Sequence, residues 1–273
     1  MNLPLGPPHE PPDGPPRVRR FPSVKTYALV LSFVGLVLLG LVGLQRSPVT
    51  LPLVVPPPGP PALGIDTSSY QHPGGVHIDW RAVRDAGVSY VYVKATEGSD
   101  RVDPWFRRDW SGVAAAGLYR GAYHYARPQK GSAAADADAF VAVVGKLGAP
   151  EDLPPALDLE DAGGLDPTAL AAWVGEWVAE VEHITGRTPV IYTRASFWTV
   201  QMANTDRFAD SPLWVARYTP DPGPPFGGWA SWTLWQWSST GTIAGVPTSV
   251  DQDRLDGGGP ALAALAARRI ESP

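Results

Sequence analysis

Residues 156–161 read ALDLED, a short apolar stretch that runs into acidic residues, of which Asp158 and Glu160 are two positions apart. Alternate residues of a β-strand project from the same face. The spacing therefore predicts that the carboxyl groups of Asp158 and Glu160 point together at the end of a strand. Acidic side chains are costly to bury there unless they are paired or hydrogen-bonded. A chain that keeps two of them in this place is expected to use them.

The same arrangement recurs at other apolar stretches of the chain. The segment GID ends at Asp66, KATEG carries Glu97, YHY contains His124, and SVDQD brings Asp251. An isolated D-x-E segment can equally end a strand and cap the next helix, since the pattern is common by chance. Acidic residues after four expected strands favour a shared site over that alternative.

Short apolar runs alternate with helix-like segments over most of the region after residue 62. This alternation is typical of βα-repeat folds with an inner sheet. Strands are expected at 63–66, 90–94, 120–124, 156–159, 190–193, 213–217, 233–236 and 249–251, and helices at 80–86, 104–116, 132–147 and 167–184. After Thr193, long amphipathic segments end. We therefore expect an α/β barrel that is regular early and irregular late, with its site at the carboxyl ends of the strands.

The composition limits the classes of function. A net charge of -5 and scattered basic residues argue against a nucleic-acid partner, because phosphate binding needs clustered Lys and Arg. The absence of cysteine excludes disulfides, thiolate metal sites and cysteine nucleophiles. Acidic clusters can bind Mg²⁺ or Ca²⁺, but neither a ligand-dense loop nor a close His pair accompanies them. No metal and no cofactor are expected.

Clustered carboxyl groups suit the cleavage of a glycosidic bond. One carboxylic acid protonates the leaving oxygen, while a second negative group stabilises the oxocarbenium-like transition state. Crowding of like charges keeps the acid partner protonated, and we expect this of Glu160. Aromatic faces also stack on the C–H faces of sugar rings, and about half of the clustered aromatic residues are expected to belong to the core instead. That cluster comprises Trp214, Tyr218, Trp229, Trp232, Trp235 and Trp237.

The region before residue 63 divides into three parts. Residues 1–24 are rich in proline and are expected to form a disordered cytoplasmic tail. Residues 25–46 contain an uncharged apolar run that can span a membrane as an anchor, with the basic residues before it placing the rest of the chain outside. A cleaved signal peptide, giving a secreted protein, is the alternative, and a buried core helix is the third. Residues 47–62 form a proline-rich linker.

The apolar and polar segments of residues 63–259 together resemble the family 25 glycoside hydrolases, the lysozymes of the Chalaropsis type. The matching segments are GIDTSSYQ (64–71), YVYVKATEG (90–98), GAYHYARP (121–128), PALDLE (155–160), VIYT (190–193), LWVARY (213–218) and LWQWSSTGTIAGVPTSVDQD (234–253). The resemblance implies an irregular TIM-like (β/α)5β3 barrel. It also implies hydrolysis of the β-1,4 bond between N-acetylmuramic acid and N-acetylglucosamine in peptidoglycan, with retention. Residues 260–273 are expected to form a short helix or tail.

The resemblance assigns roles by position. Glu160 matches the general acid, and Asp158 matches the carboxylate that assists the substrate's N-acetyl group or stabilises the cation. Asp66 and Asp251 match the two other acidic residues of the site. The substrate-binding residues implied are Tyr123, His124, Tyr192, Trp214, Tyr218 and Gln236. His124 is expected to be either a structural hydrogen-bonding residue or a substrate contact.

Several alternatives stay open at this point. Asp253 stands where the family commonly has asparagine, and it is expected either to add negative charge near the site or to face solvent. The chain could also be a glycan-binding module without catalysis, or a hydrolase of another glycan such as chitin. The residues leave open whether a protein carboxylate or the substrate's own N-acetyl group attacks the anomeric carbon. They give no oligomeric state.

Overall fold

The computed structural model describes residues 60–128 and 132–270 of the 273-residue chain. The expected tail at 1–24, the anchor at 25–46 and most of the linker at 47–62 lie outside these residues. Across the two described ranges, no helix is both long enough and apolar enough to cross a membrane.

The strands of the described residues belong to one closed sheet. They are β1 (Ala62–Thr67), β2 (Val88–Glu97), β3 (Arg101–Val102), β4 (Tyr119–Tyr125), β5 (Ala156–Asp158), β6 (Val190–Thr193), β7 (Leu213–Ala216), β8 (Leu234–Gly241) and β9 (Val250–Leu255). The order is β1-β9-β8-β7-β6-β5-β4-β2, and β1 pairs directly with β2, which closes an eight-stranded barrel. The short β3 only extends β2 as an antiparallel hairpin. The α/β class and the closed barrel expected from the sequence are confirmed.

Most of the helices follow a parallel strand and cover the outside of the barrel, and the last one follows β9. They are α1 (Trp80–Asp85), α2 (Phe106–Ala115), α3 (Ala133–Val144), α4 (Pro167–Thr185), α5 (Ala195–Gln201) and α6 (Gly258–Ala267). The start of α4 has a local cause, since the Asp166 side chain accepts from the backbone N–H groups of Thr168 and Ala169, with Pro167 at the first helical position. Helix α5 was not expected. It is one short element whose N-cap residue, Arg194, makes no side-chain cap.

The strand directions change late in the chain. Neighbouring barrel strands from β1 through β8 are parallel, whereas β9 runs antiparallel to both β8 and β1. Parallel strands bring their carboxyl ends to the same edge of a sheet. The residues at these ends therefore surround one opening of the barrel, which is the end where binding sites of barrel folds lie.

Two apolar layers hold the barrel, because successive strand residues face opposite sides. On β2, Val91 and Val93 face outward to the helices, whereas Tyr90 and Tyr92 fill the interior. The tyrosine rings fit because a glycine faces one of them from β1: a Cβ on Gly64 would lie 2.2 Å from the Tyr90 ring. The interior is therefore packed solid below the opening.

Helix α6 closes the amino-terminal end of the barrel. Its Leu262 and Leu265 pack with Ala62 and Leu255 at the ends of β1 and β9. The fully buried Arg187 secures the helix by donating hydrogen bonds to the carbonyl oxygens of residues 152, 265 and 266. Two of these carbonyls belong to the last turn of α6, where free acceptors remain. The expected short C-terminal helix is thus part of the packed domain.

Candidate active site

A pocket of about 300 Å³ opens at the carboxyl ends of the parallel strands. It is lined by Asp66, Ser68, Tyr70, Gln71, Lys94, Tyr123, Tyr125, Asp158, Glu160, Tyr192, Trp214, Tyr218, Gln236 and Asp251. All four expected acidic residues lie in it, together with every expected substrate-binding residue except His124. The barrel thus brings together residues from all eight of its strands and from the loops that follow some of them.

The acidic residues come from two sides of the barrel. Asp66 and Asp251 are directly paired across the antiparallel strands β1 and β9. Asp158 ends β5, and Glu160 follows two residues later. Burial raises the pKa of Asp158 and Asp66, and the nearby carboxyl groups add to both shifts. Burial also raises the pKa of Asp251 to about 6. Such shifts are typical of carboxyl groups held close together in a site.

A chain of hydrogen bonds orients Asp66. The hydroxyl groups of Tyr192 and Tyr218 donate to Gln236 Oε1 over 2.9 and 2.8 Å. Because both hydroxyls donate to the amide oxygen, the Gln236 amide nitrogen is free to donate to Asp66 Oδ2 at 2.7 Å. Three strands, β6, β8 and β1, are therefore coupled to the position of one carboxyl group.

Glu160 has a cationic partner that the sequence did not indicate. The Arg194 guanidinium, which follows β6, donates a hydrogen bond from Nη2 to Glu160 Oε2. The attraction of Glu160 raises the pKa of Arg194. The carboxyl group is consequently held at one edge of the pocket by an ion pair as well as by the chain direction after β5. The sequence predicts only carboxyl groups around Glu160, whereas the structure also places an arginine beside it.

A second ionic cluster, which was not predicted from the sequence, lies beside the pocket. Lys94 Nζ donates to Glu97 Oε2 at 2.7 Å, and Arg127 Nη2 donates to Glu97 Oε1 at 2.8 Å. The ring of Tyr125 lies 4.8 Å from Lys94 Nζ and 4.5 Å from Arg127 Cζ. Burial alone would raise the pKa of Glu97, but the hydrogen bonds from the two cations lower it to about 2. The cluster fixes one wall of the pocket.

His124 does not reach the pocket, which corrects the expectation that it could contact substrate. It lies between Tyr123 and Tyr125 on β4, and those two face inward, so His124 faces outward under the helices. Its ring is fully buried, with Nε2 3.3 Å from Asp136 Oδ2 and its centroid 5.5 Å from that of Trp177. Burial lowers the pKa of His124 despite the carboxylate. The structure therefore supports the first of the two expected roles of His124, that of a structural hydrogen-bonding residue.

Asp253 does not face solvent, which corrects one of its two expected placements. It does not line the pocket either. It is fully buried inside the barrel and accepts a hydrogen bond from Trp214 Nε1 at 2.9 Å. Its negative charge would act on Asp66 from below the pocket. Two-residue spacing from Asp251 could have indicated this inward position.

The clustered aromatic residues divide between site and core. Trp214 and Tyr218 line the pocket, whereas Trp229 and Trp235 are buried in the outer apolar layer. Tyr70, which was not expected, lines the pocket with its side chain 82% exposed. An aromatic ring held in water at the edge of a pocket can stack on a ligand.

No metal site is built into this part of the chain. Within residues 60–128 and 132–270, no group of three or more His, Asp or Glu side chains is arranged to hold a metal ion.

Comparison with known proteins places these features in a family. Residues 65–246 match the model for glycosyl hydrolases family 25. Lysozyme M1 of Streptomyces globisporus is 37% identical over 211 residues, which cover 74% of this chain and 70% of that protein. The N,O-diacetylmuramidase of Chalaropsis sp is 37% identical over 185 residues, covering 63% of this chain and 86% of that protein.

A solved structure shows the same relationship in three dimensions. The bacterial lysozyme from Streptomyces coelicolor superposes with a TM-score of 0.71 at 36% identity, covering 75% of this chain and 96% of that one. The family match spans more than half of the chain, and it includes the strand ends that carry Asp66, Asp158 and Glu160. This chain therefore belongs to the glycosyl hydrolases of family 25.

Proposed function

We propose that this chain is a muramidase that hydrolyses the β-1,4 bond between N-acetylmuramic acid and N-acetylglucosamine in peptidoglycan. The observation that carries the proposal is the convergence of four carboxyl groups, from Asp66, Asp158, Glu160 and Asp251, on one pocket. Glycoside hydrolysis uses such groups as acid, base and charge stabiliser. The relatives named lysozyme M1 and N,O-diacetylmuramidase support this choice of substrate.

Glu160 is the proposed general acid. It lies beyond the end of β5 at the pocket edge, where it can reach the oxygen that bridges two sugars. Arg194 Nη2 donates a hydrogen bond to Glu160 Oε2, which the protonated acid can accept as well as the carboxylate. In the first step, Glu160 gives its proton to that oxygen while the bond from the anomeric carbon breaks. The N-acetylglucosamine side leaves as an alcohol, and Glu160 becomes a carboxylate.

Asp158 is proposed to position the N-acetyl group of the muramic acid. It is buried beneath Glu160, and its Oδ1 makes no hydrogen bond to any described residue, so it is free to contact an acetamido N–H. The acetamido carbonyl oxygen then attacks the anomeric carbon as the leaving group departs. Water opens the resulting ring and gives a proton to Glu160, which restores the acid and yields net retention.

The remaining pocket residues are proposed to bind the glycan. Asp66 and Asp251 face the reacting sugar from the opposite side of the barrel and stabilise the developing positive charge. Tyr123, Tyr192 and Trp214 line the deeper part of the pocket, and Tyr218 and Gln236 hold Asp66 through their hydrogen bonds.

The place of action is also a proposal. We infer that the barrel works outside the membrane, because its substrate is there and residues 25–46 are suited to an anchor. Fractionation of cells that produce the full-length chain tests this inference, with protease added to intact spheroplasts. Membrane-bound protein whose barrel is digested supports the anchor. Soluble protein in the medium, shortened at its amino terminus, shows a cleaved signal instead.

The decisive experiment compares the full-length protein with its Glu160→Gln variant on isolated bacterial walls. The matched control is Glu176→Gln on the exposed face of α4. We expect fragments with muramic acid at the reducing end from the unmutated and control proteins, and a loss of roughly 10²–10⁴-fold in Glu160→Gln.

Other outcomes point to the two alternatives. Walls that bind all three proteins without releasing fragments would make the chain a glycan-binding module. Fragments released only from chitin would identify a hydrolase of another glycan. Fragments with glucosamine at the reducing end would mean that the other glycosidic bond of peptidoglycan is cut.

A further inference from the structure

Tyr70 combines an exposed ring with a backbone that is tied to the rest of the barrel. The residue lines the pocket, yet 82% of its surface faces water. It lies in a single helical turn, Ser69–Gln71, that follows β1. The segment of residues 68–72 is called the Tyr70 turn below. Because so exposed a ring is not fixed by packing, the contacts made by the rest of the turn must set its position.

Gln71 ties one side of the Tyr70 turn to the loop before β9. Its Oε1 accepts from the Ser68 backbone N–H at 2.9 Å, and the Ser68 hydroxyl oxygen accepts from the Tyr70 N–H at 3.3 Å. This reciprocal pattern is a capping box, which satisfies the free donors at the start of a helical turn. The Gln71 amide then donates from Nε2 to the carbonyl oxygen of Ser249 at 3.2 Å. The turn is therefore closed internally and also bonded to the other end of the chain.

Asp103 ties the other side of the turn to the segment between β3 and α2. Its side chain is buried, and its own N–H donates to the carbonyl oxygen of Ala95 on β2 at 2.9 Å. Asp103 Oδ2 accepts from the Ser69 backbone N–H and Oδ1 from that of Trp105, both at 2.9 Å. The first N–H groups of a helical turn have no partner within it. A carboxyl group 34 positions away in the sequence therefore completes the Tyr70 turn.

Trp105 extends this hold to the last residue of the turn. The His72 ring stacks on the Trp105 ring, with centroids 3.8 Å apart and planes 1° from parallel. His72 Nε2 also lies 2.8 Å from Asp109 Oδ2 on α2. Because Asp103 binds the Trp105 backbone as well as Ser69, one carboxyl group acts on both ends of the turn. It acts directly on Ser69 and, through the Trp105 ring, on His72.

We propose that Asp103 is a positioning residue that holds the Tyr70 turn as a preformed stacking surface for one sugar ring of the glycan. The inference rests on the proposed function in that the glycan is the ligand of the pocket. The apolar C–H face of a sugar ring matches the face of a phenol ring. A surface that is ordered before binding spares the cost of ordering it on binding. Asp103 does not line the pocket, so its effect reaches the glycan only through Tyr70.

A double-mutant cycle between Asp103 and Tyr70 tests the proposal. The probe is a soluble tetrasaccharide of alternating N-acetylglucosamine and N-acetylmuramic acid, titrated calorimetrically into the full-length Glu160→Gln variant. Asp103→Asn keeps the size of the side chain but leaves one of the two N–H groups without an acceptor, and Asp103→Ala removes both bonds. We expect the Kd to rise about threefold in Asn and about fivefold in Ala. In a Tyr70→Ala background, neither substitution should raise the Kd further, because the stacking ring is already gone.

Asp152→Asn is the matched control for removing a buried acid. Asp152 also accepts from a backbone N–H, that of Ala149, and from Arg120 Nε, both at 2.8 Å, beside the start of β4 at the opposite end of the barrel. Its substitution should leave the Kd unchanged.

Two further measurements separate positioning from a merely structural role. On walls, with Glu160 intact, Asp103→Asn should raise KM while kcat stays within about twofold. Without any glycan, hydrogen exchange at the Ser69 N–H should become at least about tenfold faster in Asp103→Asn, and not in Asp152→Asn. An unchanged exchange rate would overturn the proposal. So would an Asp103 effect that persists in the Tyr70→Ala background, or one that falls on kcat alone.

Failure of this inference and failure of the proposed function give different results. The titration needs no cleavage, and the exchange measurement needs no glycan. A protein that cleaves no wall but binds the tetrasaccharide with the expected coupling refutes the muramidase proposal and keeps the role of Asp103. A protein that cleaves walls without that coupling does the reverse. If Asp103→Ala fails to fold, the cycle with Asp103→Asn still decides.

Discussion

Glu160 and Arg194 are ion-paired at the pocket edge although they follow different strands of the barrel. Glu160 comes after β5 and Arg194 comes after β6, and these strands are neighbours in the parallel sheet. The arginine is 53% exposed, so it can leave the pair without disturbing the core. The pair therefore orients the proposed acid without contributing much to folding, as is usual for ion pairs near the surface.

Replacing Arg194 tests this orientation. In Arg194→Met, we expect kcat on isolated walls to fall about tenfold, because the Glu160 carboxyl group is no longer held against the scissile bond. The melting temperature should stay within about 2 °C of the unmutated protein, given the exposure of the arginine. Steady-state kinetics and thermal unfolding measure both. An unchanged kcat would show that the pair has no part in positioning.

The acetyl group of the substrate provides a second test, directed at Asp158. If Asp158 positions the N-acetyl group, walls whose muramic acid has been N-deacetylated should resist the enzyme, and Asp158→Asn should lower kcat by roughly 10²-fold or more on untreated walls. Release of reducing ends measures both rates. Cleavage of deacetylated walls at the normal rate would instead assign the attack to a protein carboxylate.

The ionic cluster around Glu97 predicts a stability that depends on pH. Its folded pKa of about 2 lies below the ordinary value of 4.5, so the cluster stabilises the fold above pH 4.5 and is lost as the pH falls toward 2. We expect Glu97→Gln to lose about 1–2 kcal/mol at pH 7, after allowance for solvent screening. That difference should shrink in acid.

Urea unfolding at pH 7, 4 and 3 measures the difference between Glu97→Gln and the unmutated protein. Glu151→Gln, at an exposed loop position, serves as the control for removing a negative charge. A difference that stays constant across this range would contradict the role of ionised Glu97 in holding Lys94 and Arg127.

The neighbours Tyr123 and His124 should respond in opposite ways to substitution. His124→Leu leaves the buried Asp136 without its imidazole partner, and we expect a loss of roughly 2–4 kcal/mol in stability. The folded protein should keep kcat/KM within about twofold, because His124 faces away from the pocket. Tyr123→Phe should remain stable and change KM. A large loss of kcat/KM in stably folded His124→Leu would reverse this assignment.

Tyr70 offers a test of glycan stacking with little risk to the fold. Because its ring is almost fully exposed, Tyr70→Ala should leave the melting temperature unchanged. We expect KM on soluble glycan fragments to rise about five- to tenfold, which corresponds to roughly 1 kcal/mol of lost stacking. Tyr70→Phe keeps the ring and should bind normally. Equal effects of Ala and Phe would point to the hydroxyl group instead.

Much of the fold follows from two periodic features of the sequence. The short apolar runs place all the expected barrel strands, and their two-residue alternation brings Asp158 and Glu160 to the same opening as Asp66 and Asp251. The same alternation already separates His124 from Tyr123, because adjacent strand residues cannot face the same side. It also places Asp253 inward with Asp251. The outward position of His124 and the inward position of Asp253 therefore both follow from the sequence pattern.

Other features depend on contacts that no local pattern encodes. The bond from Arg127 to Glu97 joins residues 30 positions apart, and that from Arg194 to Glu160 joins residues 34 apart. Each pair meets only because parallel strands lie side by side and long side chains reach across them. Helix α5 was missed because seven residues after an uncapped Arg194 carry too few signals of a helix start.

The antiparallel pairing of β9 with β1 has a consequence for when the protein becomes able to act. Asp66 lies near the start of the described domain and Asp251 near its end, and they meet only when the last strand closes the barrel. A chain whose last strand has not yet been made already has Glu160 and Asp66 but lacks Asp251. The four carboxyl groups of the pocket are therefore brought together only when the last strand has been made and the barrel has closed.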